Sequence, residues 1–115
     1  MSAALSMPAE KRSEPRNRVV QQGVLVYGDY AFTPTCVIRN LTGNGAAVRL
    51  ESELRLPERL TLIELGSGKA HSARVVWARS GFVGLELAAT RDLRMAGSHD
   101  PLRQLWIDRL PRALG

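Results

Sequence analysis

Two clusters of side chains in this sequence carry the donors and acceptors needed to hold a phosphate-bearing ligand. The first is Arg12-Ser13-Glu14-Pro15-Arg16, with Lys11 before it and Arg18 after it. A guanidinium presents a planar fork of N–H donors that matches a phosphate or a guanine edge, which an ammonium does not. Pro15 fixes its own φ and pushes Glu14 toward extended geometry, so the run reads as extended rather than helical. Arg12 and Arg16 then stand up to about 13 to 14 Å apart, at about 3.3 to 3.6 Å per residue, and can grip two parts of one ligand. Standing alone, such a run is more often a solvated charged tether. The second cluster is Asn40-Leu41-Thr42-Gly43-Asn44-Gly45. A carboxamide and a hydroxyl held at a rigid corner make a donor and acceptor set able to read a base edge, with glycine leaving room for close approach. The same residues also suit a plain turn, in which Asn and Thr bond the local backbone and the glycines reach conformations closed to other residues.

Other chemistries find less support. His71 and His99 have no Cys or carboxylate at metal-ligand spacing. Gly66-Ser67-Gly68-Lys69 lacks the upstream Gly and the following Ser or Thr of a phosphate loop, and a hairpin turn is the better reading. No nucleophile, base and orienting carboxylate occur together, so no enzyme is expected. Asn40-Leu41-Thr42 matches a glycosylation sequon, but the first nine residues have neither a basic leader nor a long apolar stretch. No window approaches the apolar length of a membrane span. These features predict a cytoplasmic, unprocessed chain without membrane insertion. Cys36 is the only cysteine, within the apolar run Cys36-Val37-Ile38, which predicts a buried thiol.

The elements that must position the two clusters follow from pattern. At 115 residues and 44% hydrophobic, the chain supports one domain with a small packed core. Residues 1–9 are too poor in large apolar groups to pack and are expected to be disordered; residues 10–18 form a charged linker. Short strands punctuated by turns fill the stretch to residue 90, as in a small sandwich or barrel. Strands are predicted at 19–27, 30–39, 46–50, 59–65, 70–79 and 82–87, with a two-residue turn at Gly28-Asp29 and Pro34 at an edge or bulge. Alternation places Ala73, Val75 and Trp77 on one face with Arg74 on the other, and Val83, Leu85 and Leu87 inward with Glu86 in solvent. Within the remaining segment, 91–115, an amphipathic helix begins with Asp100 as N-cap and Pro101 in its first position. Leu102, Leu105, Trp106 and Leu110 fall on one face, and Pro111 is expected to end it at Leu110.

The two clusters, in this order and around these strands, resemble the PilZ domain family, whose signature is R-x-x-x-R in an N-terminal linker followed by D/N-x-S/T-x-x-G on a barrel strand. Arg12 and Arg16 match the first half. Asn40, Thr42 and Gly45 match the second, with Asn for the commoner Asp and Thr for the commoner Ser. The likeness spans roughly residues 10–90, including AHSARVVWARSGFVGLEL, which is similar to the family's closing hairpin. It implies an all-β fold, a six-stranded antiparallel β-barrel with a flexible N-terminal linker and a C-terminal α-helix, that binds cyclic di-GMP and needs no cofactor. Arg12 and Arg16 would divide phosphate and guanine contacts, Asn40 and Thr42 would meet the other guanine, and Gly45 would hold the turn. Lys11 occupies the place where a basic residue in some members accompanies binding of a stacked ligand pair.

The resemblance further implies a sensor whose linker folds onto the barrel corner with ligand and presents a new surface to a protein partner, in motility, adhesion or exopolysaccharide control. The alternatives are a PilZ-like adaptor that binds no nucleotide and a barrel that binds nucleic acid polymer. The net charge of +5 suits the latter, but six aromatics, several of them needed for packing, are few for a stacking platform.

Overall fold

The computed structural model describes residues 21–114, the last four of them by backbone only. Six strands, β1 (Gln21–Val26), β2 (Thr35–Leu41), β3 (Gly45–Leu50), β4 (Arg59–Glu64), β5 (Lys69–Arg79) and β6 (Phe82–Asp92), are followed by a 3-10 turn (Leu93–Met95) and α1 (Pro101–Leu114). The strands close into a barrel in the order β1-β2-β3-β6-β5-β4, with every neighbouring pair antiparallel. Closure removes the exposed edges that a six-stranded sheet would otherwise present.

Two apolar layers share the same strands. Leu25, Ile38, Val48, Leu62 and Leu85 point inward and fill the barrel. Val24, Val26, Ile63, Leu65 and Ala70 point outward, where Leu102, Leu105, Trp106 and Leu110 of α1 cover them, as the helical spacing predicts. β1 is therefore buried on both faces, which is why Val24-Leu25-Val26 is a continuous apolar run instead of an alternation. Trp106 keys the helix to the β4–β5 turn. Its indole Nε1 donates to the Leu65 carbonyl at 2.8 Å, and a Cβ at Gly68, where φ is +79°, would lie 2.7 Å from the ring. Asp100 caps the helix by accepting from the Leu102 N–H at 2.9 Å and binds Arg91 of β6 through Nη1 at 2.9 Å.

Four expectations are corrected. The first hairpin turns through residues 28–31 rather than through two: Gly28, Asp29 and Tyr30 all have positive φ, and Tyr27 and Phe32 bridge across with their rings stacked 5.2 Å apart. β2 accordingly starts at Thr35, after Pro34, whose carbonyl accepts from Leu25 N–H at 2.9 Å. Trp77 is not inward but 44% exposed. The β5–β6 register slips between Val75 and Trp77, and one extra residue in a strand reverses the facing of the residues beyond it. β6 runs to Asp92, past a second irregularity between Ser72 and Ala73 in the same pairing. Finally, α1 continues through Pro111. The ring removes one N–H from the ladder, and Ile107, whose carbonyl loses that partner, is exposed, so water can replace it.

Candidate functional site

Asn40, Thr42 and Gly45 lie together where β2 turns into β3. The β2–β3 register shifts between Ile38 and Asn40, which leaves Arg39 as the extra residue and both Arg39 and Asn40 exposed. The corner is tied by Thr42 N–H donating to Gly45 O at 2.8 Å and by Leu87 N–H of β6 donating to Asn44 O at 3.0 Å. The Thr42 hydroxyl reaches Gly45 O at 3.3 Å and Asn44 Oδ1 at 3.4 Å. Both contacts are long for O–H···O bonds, so its proton is only weakly engaged. Neither Gly43 nor Gly45 has positive φ. A Cβ at Gly43 would meet nothing within 4 Å, and one at Gly45 would make ordinary contact with Leu85 O at 3.5 Å. The turn does not demand these glycines. Their effect is to keep the surface low.

The pairing continues the corner into a band around the barrel. Asn40 is opposite Ala47, Ala47 is opposite Gly84, and Gly84 is opposite Trp77. The middle of the band is thus floored by the Ala47 methyl group and, next to it, by Gly84 backbone that carries the Trp77 ring. A Cβ at Gly84 would fall 2.1 Å from the indole Nε1, so Trp77 lies directly on that backbone. Sequence alternation missed Trp77. The signal that could have found it is Gly84 itself, since an isolated glycine within a strand marks a close approach. Next to this band, Arg49, Phe82 and Arg79 are successive partners. The Arg49 guanidinium stands 6.0 Å from the Phe82 ring centre and that of Arg79 5.7 Å from that of Trp77. The surface is therefore small and flat at its centre, aromatic and cationic at one side, and amide- and hydroxyl-bearing at the other.

Lys11, Arg12 and Arg16 lie outside the described residues. The described chain begins at Gln21, which pairs with Ile38, two residues from Asn40.

A second polar cluster sits at the β4–β5 end of the barrel. His71 joins Glu64, Nε2 to Oε2 at 2.5 Å, and Thr90, Nδ1 to Oγ1 at 2.8 Å, while the Ser67 hydroxyl donates to Glu64 Oε1 at 2.9 Å. Burial pushes the Glu64 carboxyl up, but the hydrogen bonds from His71 and Ser67, with the nearby charges of His71 and Lys69, outweigh it and hold the group below its ordinary value. Ser67 thus serves a hairpin turn. No group of three or more His, Cys, Asp or Glu suited to a metal occurs among the described residues. Cys36 is 2% exposed, and burial pushes its thiol up to about 12.

Comparison with known proteins bears on the barrel. The crystal structure of the PilZ domain of CeSA from a cellulose-synthesizing bacterium matches with a TM-score of 0.50 and 20% identity, covering 88% of this chain and 98% of that one. The fold is that of a PilZ domain. No family model and no curated protein matches the sequence. The PilZ-type barrel and its C-terminal helix agree with the architecture expected from strand pattern and motif. Among the described residues, no helix is long and apolar enough to cross a membrane.

Proposed function

We propose that the protein is a cyclic di-GMP receptor that binds the nucleotide across the band from Asn40 to Trp77. The observation that carries this reading is the register itself: Asn40, Ala47, Gly84 and Trp77 are successive partners on adjacent strands, beside the point where β1 begins. Neighbouring strands are about 4.8 Å apart, so the flat centre between amide and indole accommodates a planar base. Trp77 offers a stacking face for one guanine, and Asn40 and Thr42 offer hydrogen bonds to its edge or to the sugar-phosphate ring. Arg12 and Arg16 supply bidentate contacts to phosphate and to guanine O6 and N7, and Lys11 adds charge to the same approach. Asn40 keeps an acceptor but lacks the negative charge of the commoner Asp, and Thr42 keeps the hydroxyl while adding a methyl.

Signalling follows from differential binding. A ligand that bridges the linker and the corner favours the closed arrangement over the open one by its contacts to both, and a protein partner reads the combined surface. Titration calorimetry of the full chain with cyclic di-GMP tests the reading. Saturable heat that falls about tenfold or more in affinity in Arg16→Ala supports it, since each charge-assisted bond contributes roughly 1.5 to 3 kcal/mol. Absence of heat in the parent protein overturns it. The exposed Val76, Trp77, Phe82 and Leu54 would then favour the second reading, an adaptor that meets a protein partner without nucleotide.

A further inference from the structure

Farther round the barrel, the outer face of β4, β5 and β6 holds an open depression of about 420 Å³. Arg59 on β4 stands directly opposite Arg74 on β5, and because the adjacent Leu60 and Ala73 point into the barrel, both guanidiniums are on its outside. Like charges opposed across neighbouring strands are destabilising. Glu86 compensates one of the two: Arg74 Nε and Nη2 both donate to its Oε1, at 3.1 and 2.8 Å. None of the described carboxylates pairs with Arg59. The next outward pair along the same strands is Thr61 opposite Ser72, which adds two hydroxyls, and Ala88 keeps the third side low.

We propose that this depression is an anion site that takes the phosphate group of a small phosphomonoester. Arg59 provides an uncommitted fork of donors, Arg74 flanks it, and the hydroxyls of Thr61 and Ser72 donate to the remaining oxygens. A phosphomonoester fits better than a carboxylate because its three acceptor oxygens can meet the Arg59 fork and the two hydroxyls together, which two carboxylate oxygens cannot. The volume falls within the range of small-molecule sites, about 300 to 1,000 Å³. Arg59 is two strands from Asn40, roughly 10 Å, while Glu86 at the near edge of the depression pairs with Gly45 of the corner, so the two sites are neighbours on the barrel.

The test is a titration of the ¹⁵N-labelled full chain with phenyl phosphate and, separately, with inorganic phosphate, at constant ionic strength. Saturable amide shifts centred on Thr61, Ser72 and Arg74 are expected. Tighter binding of phenyl phosphate assigns the site to esters, and equal binding assigns it to the phosphate group from either source. Arg59→Gln should weaken binding at least tenfold with the rest of the spectrum and the thermal midpoint maintained, whereas Arg94→Gln, a distant exposed arginine, should leave it unchanged. The titration is made without cyclic di-GMP, so its outcome is read separately from that of nucleotide binding. Non-saturating shifts spread over the exposed arginines, or an unchanged affinity in Arg59→Gln, would overturn the proposal.

Discussion

Two outer faces of this barrel are built on different strands and from opposite kinds of side chain. Under α1, β1 and β4 present Val24, Val26, Ile63 and Leu65, which the helix buries. Across β3 and β6 the outer positions at the middle of the band are Ala47 and Gly84, no helix covers them, and the Trp77 ring lies on Gly84. Large apolar groups on an outer face serve to fasten something permanently. Small ones fasten no helix, and keep the surface low beside the half-exposed Trp77 ring. Substitutions on the helix side should therefore register as stability, and those on the bare side as binding.

The largest effect is expected from Trp106→Ala. It removes a buried indole and leaves the Leu65 carbonyl without its donor, at a cost of about 3 to 5 kcal/mol in urea unfolding. Next is His71→Ala, at about 3 kcal/mol, because it strands the Glu64 carboxylate inside the barrel end. That pair also contributes to the response to acid. Glu64 is held below its ordinary value when folded, so its contribution is complete above the unfolded carboxylate value and is lost as pH falls through the lower folded one. In His71→Ala, burial of Glu64 is no longer offset by the imidazole, so protonating the stranded carboxylate relieves the cost, and the stability gap to the parent in urea unfolding should narrow as pH falls.

On the bare side, Trp77→Ala should cost about 1 to 3 kcal/mol of cyclic di-GMP affinity by calorimetry. Its effect on unfolding should be much smaller, because the ring is 44% exposed. The smallest effect expected is from Asp100→Asn. It retains a capping oxygen but loses the charge that pairs with Arg91, and should lower stability by less than about 1 kcal/mol. If Trp77→Ala destabilised as much as Trp106→Ala, the contrast between the faces would fail.

Most of the barrel was legible because each strand carries its own punctuation. The six strands, the inward Val83, Leu85 and Leu87, the Asp100 cap and the stripe ending in Leu110 all follow from local periodicity and turn chemistry. The misses share one cause. The slip that exposes Trp77 and the irregularity beyond Ala73 depend on how two strands of unequal path length are matched around a closed barrel, which no single segment records. The four-residue turn at 28–31 was hidden similarly, since Asp29 and Tyr30 adopt positive φ only with Tyr27 and Phe32 bridged beneath them. At the candidate site, the side chains of the corner were readable from residue type. The flat centre was not, because Ala47 and Gly84 become neighbours only through pairing.

The buried sulfur has a practical corollary. Cys36 is the sole cysteine of the chain, and a thiol so shielded and so reluctant to ionise should react only slowly with maleimides at neutral pH. A cysteine introduced at Arg39 would consequently be the one reactive sulfhydryl, so a single dye or spin probe could be seated beside the corner without first removing the native thiol.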